Sequence, residues 1–520
     1  VSHRTRPWIA RPWIARPWIA FALAAGLALA GCGTPVRNPV TGQTERTVMD
    51  ERAEVTEGAK AHEEIKKGYG VVPDAALQAY VNDVGQKLAA QSHRAQLKWT
   101  FTVLDSPEIN AFALPGGFVY MTRGIMAYLD SEADLAGVLG HEIGHVTARH
   151  GAQRATQQQR AGAWVLGAAV LGAVLGGQAG AQAASEVGQS LAAGDIARYG
   201  REQELQADQL GAEYLARVRY NPANMVDVIQ VLKSQELFAA EAAKAAGRPA
   251  PQGGGWLASH PSNDERLQSI RGTAQRLAGT QGSAAWADDG RARYLKAIEG
   301  MTFGDSREQG VVRGRNFYHE PLGIALTAPP GWRIVNDSEQ LGLVNAERDA
   351  ALVMQLIPDE VVKKTGGDHA AVLRDALGAT QGSTERLTLG GALAATHFSG
   401  QRRNAQGQVG ALTATIVSGP AGKLYLLGWS AKDAQAMARS RSLLREAELS
   451  FRPLSAADRQ AARPWKVKTV PMPAGGFAQL ARGTPLGERA EPQLRLLNGV
   501  FGANPANDPK PGQPVKVVIE

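Results

Sequence analysis

The sequence predicts a multidomain chain in which a mainly α-helical domain with a small β-hairpin or sheet precedes an α+β domain and a short third piece. Three observations predict this. The chain has 520 residues, more than a single hydrophobic core usually organises. From Glu57 to about Gly300 apolar residues recur at helical spacing, interrupted by one extended segment from Trp99 to Thr122. Beyond Gly304–Gly314 the texture changes to short apolar runs alternating with helical stretches, and from about residue 465 it becomes short-range and rich in Pro and Gly. The resulting divisions are 1–31, a leader; 32–56, a tether; 57–303, the helical domain; 315–453, the α+β domain; and 465–520, the tail.

The leader begins with Arg4, Arg6, Arg11 and Arg16, continues into a short apolar run from Trp18 to Ala30, and ends in small residues. That is the layout of a secretory signal peptide, and the run is too short for a membrane span. The tetrapeptide Leu29-Ala30-Gly31-Cys32 resembles a bacterial lipobox, which implies cleavage before Cys32 and lipidation of its thiol. The plainer reading is an ordinary signal peptide with Cys32 incidental. Gly33, rather than Asp, follows the Cys, which favours anchoring at the periplasmic face of the outer membrane over retention at the inner one. The repeat RPWIARPWIARPWIA lies inside the leader and is read as a local duplication. Without residues 1–31, which hold four Arg and no acid, the formal charge falls from +7 to +3, so nothing argues for nucleic acid as a partner. The single Cys excludes an intramolecular disulfide framework and a Cys-ligated metal.

The elements follow in order. Gly33–Glu54 is polar and reads as a tether. KWTFTVLD and AFALPGGFVYMT read as strands around Ser106-Pro107 and Pro115-Gly116-Gly117. Ser131 and Asp134 form a capping box, so a helix starts there. GRPAPQGGG is a loop within the helical domain. In the α+β domain, LGIALTAPPGW, ALVMQLI, GALTATIVSG and KLYLLGW read as strands of an antiparallel sheet, and DHAAVLRDAL and AQAMARSRSLLREAEL as helices. That domain carries no assignable constellation, and a structural or protein-binding role is its default.

The chemistry lies in HEIGHVTARH, residues 141–150. On a helix from Ser131, Leu135, Val138, Leu139, Ile143 and Val146 form one apolar arc, with His141 and His145 one turn apart on its flank. Both imidazoles can reach one point. Glu142 falls inside the arc, where a carboxylate is costly unless paired or used. Gly137, Gly140 and Gly144 line another face and predict close backbone approach by a neighbour. Two imidazoles with an intervening Glu suit a zinc ion and a general base; a core helix with satisfied histidines is the bland alternative. A catalytic zinc site needs a third ligand. The spacing HExxHxxGxxH is excluded, because Ala148 and Gly151 stand where Gly and His would be needed and His150 comes one position early. A Glu from a second helix is the alternative. In YGREQELQADQLGAEYL, Glu204 and Asp208 share a face one turn apart; Glu204 can be a ligand and Asp208 can fix a ligand's tautomer. A solvated acidic face is the competing reading.

HEIGHVTARH followed about sixty residues later by REQELQAD resembles the zinc metalloendopeptidase family of the CAAX prenyl proteases and HtpX, and most of all its periplasmic BepA-like branch. The resemblance covers about residues 57–300. It implies a gluzincin-type zincin domain with one Zn²⁺ per chain, held by His141, His145 and Glu204, with Glu142 as general base. NAFALPGGFVYMTRG resembles the segment beside the family's active-site helix, so Asn110, Ala111, Phe112 and Ala113 are expected to bind substrate as an added strand; a purely structural hairpin is the alternative. SHPSNDER matches a further element, whose His260 would either plug the zinc or stabilise the oxyanion. Ala161–Ser185 reads as a lid or small-residue helical pair, with membrane-surface contact as the weaker option. The helical repeats of BepA-like proteins are missing. Instead the tail resembles a degenerate LysM module, implying a βααβ unit that binds peptidoglycan or serves as a structural cap.

The leading expectation is therefore a lipid-anchored periplasmic zinc metalloendopeptidase of a Gram-negative bacterium, cleaving unfolded, misfolded or misassembled envelope proteins in quality control. A latent-site chaperone or scaffold for outer-membrane assembly, with peptidoglycan binding, competes with it. A peptidoglycan hydrolase is weaker, because the motif resembles peptidases that act on proteins.

Overall fold

The computed structural model describes residues 33–159, 200–245, 247, 260, 264–280, 286–336, 340–403 and 407–520. Cys32 and Ala161–Ser185, with the lipidation and lid readings placed on them, lie outside the described residues.

The segment expected as a tether is instead folded onto the helical domain. Strands β1 (Thr34–Arg37) and β2 (Thr44–Thr47) pair as an antiparallel hairpin. Buried Asn38 accepts from the amides of Val40 and Thr41 and donates to the carbonyl of Ala148. The segment is held by polar groups that each find a specific backbone partner, which leaves no apolar pattern to read. Helix α1 (Glu51–Tyr69) follows, capped by Asp50, and starts six residues earlier than the helical texture suggested. Its buried Glu54 pairs with Arg94 at 2.8 Å and Arg149 at 3.0 Å. Helix α2 is Ala75–Ala89.

The extended segment becomes β3 (Thr100–Leu104), β4 (Ala111–Leu114) and β5 (Phe118–Thr122), in the spatial order β3-β5-β4. β3 runs parallel to β5 and β4 antiparallel, so β4 is an edge. The tight β4–β5 turn needs glycine. Gly116 and Gly117 have φ of +89° and +99°, and a Cβ on Gly116 would lie 2.7 Å from the Val55 Cα of α1.

After α3 (Arg123–Tyr128), helix α4 (Glu132–Thr147) starts where the capping box predicted, with both Ser131 and Asp134 engaged. Every residue of α4 is buried. Two of its three glycines meet neighbouring backbone as their spacing suggested: a Cβ on Gly140 would stand 3.2 Å from the Gly211 Cα, and one on Gly144 3.0 Å from the Ala207 carbonyl, while Gly137 faces the Val228 side chain instead. That contact presses α5 (Arg201–Arg217) against α4. Helices α6 (Asn224–Ala245), α7 (Asp264–Thr280) and α8 (Arg291–Ala297) complete the domain, and β6 (Thr302–Phe303) ends it.

The α+β region has two antiparallel sheets. β7 (Val311–Arg313), β8 (Asn316–His319) and β9 (Ile324–Thr327) belong to the first. The second holds β10 (Arg333–Asn336), β11 (Leu341–Val344), β12 (Ala350–Leu356), β13 (Ala379–Leu389), β14 (Leu393–Arg403), β15 (Val409–Ser418) and β16 (Leu424–Ala431), ordered β10-β11-β12-β16-β15-β14-β13. Helix α9 (Ala434–Leu449) packs on β12 and β16, burying Leu352, Leu427 and Leu444 together. β17 (Arg452–Pro453) returns to the edge of the first sheet.

The tail runs β18 (Trp465–Pro471), α10 (Gly476–Ala481), α11 (Ala490–Leu497) and β19 (Pro514–Ile519). It does not stand apart. β18 pairs with β6 as well as β19, and Phe477, Leu494 and Val515 share one apolar core with Tyr128 and Met301. So short a piece buries little by itself, and its apolar faces are covered by the helical domain. Lys516 is fully buried and donates to the Ala127 carbonyl at the end of α3 at 3.0 Å; burial pushes its pKa down to about 7. Among the described residues no helix is long and apolar enough to cross a membrane.

Candidate metal centre

The close approach of α4 and α5 decides the site. It brings Glu204, from the first turn of α5, against the flank of α4 that carries His141 and His145. His141 Nε2 and His145 Nε2 are 3.1 Å apart. Glu204 oxygens lie 3.5 Å from the first and 3.4 Å from the second. His260 adds a fourth donor, its Nδ1 being 3.2 Å from His141 Nε2 and 2.9 Å from Glu204 Oε1. All four side chains are buried, and their ligand atoms fall within 4.8 Å of one another.

The surrounding groups set the tautomers. Asp208 Oδ1, one turn along α5 from Glu204, lies 2.9 Å from His141 Nδ1. A carboxylate only accepts, so Nδ1 carries the proton and the Nε2 lone pair faces the cluster. His145 is fixed by a neutral chain. Gln206 Oε1 accepts from His150 Nε2 at 2.9 Å, leaving His150 Nδ1 to accept from His145 Nδ1 at 2.9 Å. The His145 Nε2 lone pair therefore also points inward.

Two imidazole lone pairs and the two oxygens of the Glu204 carboxylate, one toward each ring, thus converge at 3.1–3.5 Å. Tetrahedral zinc with bonds of about 2.0–2.1 Å places its ligands roughly 3.3 Å apart. The donor set fits such an ion in number, chemistry and spacing.

The electrostatics differ across the site. Burial opposes charge on His141, but Asp208 and Glu204 together outweigh it and raise its pKa to about 9. For His145 burial wins, and its pKa falls well below the usual value. Burial likewise pushes His150 down to about 4. Burial also opposes ionisation of Glu204, yet the surrounding histidines hold it well below the carboxylate range. Arg266, at the start of α7, neutralises the acids. It donates twice to Asp208, at 2.8 Å each, and lies 3.0 Å from Glu204 Oε2. It also reaches the His260 backbone carbonyl at 3.4 Å.

Glu142 is fully buried on the same helix, with Oε1 3.7 Å from His260 Nε2. β4 packs beside α4, and among the described residues no strand pairs with its outer edge. Asn110, Ala111, Phe112 and Ala113 form that edge and its entry, with Ala111 paired to Met121 and Phe112 to Tyr120.

Sequence reasoning brought together His141, Glu142, His145, Glu204, Asp208 and His260. It missed two positioning residues. His150 was weighed only as a ligand and set aside. It reaches His145 because Arg149, at φ +62°, turns the chain back just after α4 ends. Arg266 stood within SHPSNDER, where nothing marks an Arg as buried.

Residues 75–274 match the model of Peptidase family M48. A beta-barrel assembly-enhancing protease from Yersinia pestis is 31% identical over 212 residues, covering 40% of this chain and 41% of that protein. The mitochondrial metalloendopeptidase OMA1 of Arabidopsis thaliana is 41% identical over 69 residues, 13% of this chain and 14% of its own. The chain spans about two fifths of the length of the beta-barrel assembly-enhancing proteases it matches. Among solved structures, LpqN of Mycobacterium tuberculosis aligns with 25% of this chain and 83% of its own at 20% identity and a TM-score of 0.20, too slight a likeness to carry an argument.

Proposed function

We propose that this chain, through the M48 peptidase domain at residues 75–274, is a gluzincin-type zinc metalloendopeptidase. The observation that carries the reading is the convergence of His141 Nε2, His145 Nε2 and Glu204, with Glu142 on the same helix turn. One zinc ion per chain would be held by those three residues, and when bound it supplies Lewis-acid polarisation of the peptide carbonyl and the attacking water. Glu142 takes the proton from the water and delivers it to the leaving amine. The outer edge of β4, from Asn110 to Ala113, binds the substrate backbone as an added strand, so demands on side-chain sequence are weak. Asp208 and His150 orient the two imidazoles, and Arg266 keeps both acids ionised.

His260 Nδ1 sits where a fourth ligand would, which supports a removable plug over an oxyanion stabiliser. The same observation favours a second reading, a latent-site chaperone or scaffold. The relatives' name, beta-barrel assembly-enhancing protease, supports an envelope setting, with misfolded or misassembled envelope proteins as substrates in the periplasm; anchoring to the outer membrane through a lipidated Cys32 is supported by the Leu29-Ala30-Gly31-Cys32 tetrapeptide alone. The LysM-like tail would add contact with peptidoglycan.

Glu142→Gln decides between enzyme and scaffold. Cleavage of unfolded casein should fall by about 10²–10⁴-fold with zinc content unchanged. Wild-type turnover in the variant would remove Glu142 from the mechanism. Casein binding without cleavage in both proteins would favour the scaffold.

A further inference from the structure

We propose that the cleft between the M48 domain and the α+β region is a second polypeptide-binding site, taking an extended, apolar stretch of the substrate chain beyond the part bound at β4. This rests on the peptidase reading above.

The cleft is a cavity of about 330 Å³. One wall is the C-terminal end of α1, Lys67–Gly70, with Asp105 at the end of β3; the other is built from β8, β10, β11 and β12. Tyr69, Leu341, Met354 and Leu356 give it an apolar surface, and Gln340 and Gln355, which are hydrogen-bonded to each other at 3.3 Å, also line it. Apolar pockets with interspersed amides suit an extended peptide, whose side chains need burial and whose backbone needs hydrogen-bond partners. Leu356 lies on the same face of β12 as Met354, lines the cleft and is exposed, so an apolar side chain stands open to a bound chain there.

The cleft is also held open at a fixed width. Gln309 donates to the carbonyls of Tyr69 and Asp105, at 2.7 and 2.5 Å, and its own carbonyl accepts from Asn336 of β10 at 2.8 Å. This amide relay ties the two walls together without filling the space between them, so binding need not order it.

Continuity with β4 identifies the occupant. Leu104 pairs with Thr122 and Ala111 with Met121, so β3 ends at the same end of the sheet where β4 begins. Asp105, the next residue, lines the cleft. Tyr69, in the cleft wall, has its ring 6.1 Å from the ring of Phe112 on β4. A polypeptide added to β4 therefore leaves the sheet at the mouth of the cleft. On the far side it meets β10, which is itself an edge strand. Capture at two places raises the effective concentration of a long unfolded chain at the metal centre and does nothing for a short one.

The test uses the full chain with Leu356→Arg, which puts a charge into the cleft lining. The Leu356 side chain is exposed and is not part of the buried core. Two substrates are compared, unfolded casein and a fluorogenic peptide of about six residues, the length of one strand. The KM for casein should rise about tenfold, with kcat for casein and kcat/KM for the short peptide unchanged. An unchanged casein KM overturns the proposal, as does an equal loss on both substrates. If the wild type cuts neither substrate, the peptidase reading fails separately. Fluorescein-labelled casein binding to the Glu142→Gln chain then decides the cleft alone: about tenfold weakening by Leu356→Arg supports it, and no change, as expected for a cleft that takes a small apolar molecule or a second copy of this chain, overturns it.

Discussion

His141 and His145 stand one helical turn apart and face the same point, yet they are held by opposite means. On the His141 side the support is charged: Asp208 on the ring nitrogen and Arg266 on Asp208. On the His145 side it is neutral, His150 followed by Gln206. Both arrangements fix the same tautomer. Only the charged one makes its imidazole a stronger base, at the cost of burying an acid and its counterion. The difference implies that the fold's stability and the metal's affinity both lean on the His141 side.

The largest expected effect follows from Arg266. Arg266→Met leaves Asp208 and Glu204 buried without their cation and should destabilise the protein by about 3–5 kcal/mol, read from the denaturant midpoint. A loss below about 1 kcal/mol would mean that the histidines alone suffice, and the asymmetry would be only apparent. Metal affinity comes next. Asp208→Asn should weaken zinc binding by about 10–100-fold in competition with a chelator, and His150→Ala by less than about tenfold. Equal losses would erase the distinction between charged and neutral support. The smallest effect is in pH. With its pKa raised to about 9 by Asp208 and Glu204, which together outweigh burial, His141 holds a proton at neutral pH in the metal-free protein, and that proton must leave before metal binds. Zinc affinity should therefore climb as pH rises towards 9 and then level off, with the climb reduced in Asp208→Asn. An identical profile in the variant would break the comparison.

Much of this site was legible because its determinants are local. His141, Glu142 and His145 follow from helical geometry, the start of α4 from its capping box, and a close backbone approach to α4 from its glycines, of which Gly140 and Gly144 meet α5. Glu204 and Asp208 follow from their one-turn spacing on a second helix. What was hidden depends on long-range polar contact. The segment before and into α1 docks through Asn38 of the hairpin and Glu54 of the helix's first turn rather than through an apolar stripe, so it read as a tether. The tail's union with the helical domain passes through β6, two residues long, and through the buried Lys516. The register of β4 at a sheet edge depends on β3 pairing with β5 rather than with its neighbour in sequence, which no local pattern encodes.

The measurement that tests the account most directly is zinc content per chain, by elemental analysis, in the wild type and in Glu204→Ala. One zinc in the wild type, lost in the variant, is the predicted result. A wild type that holds no zinc after refolding with the metal, or a variant that keeps it, would contradict a site shared between α4 and α5.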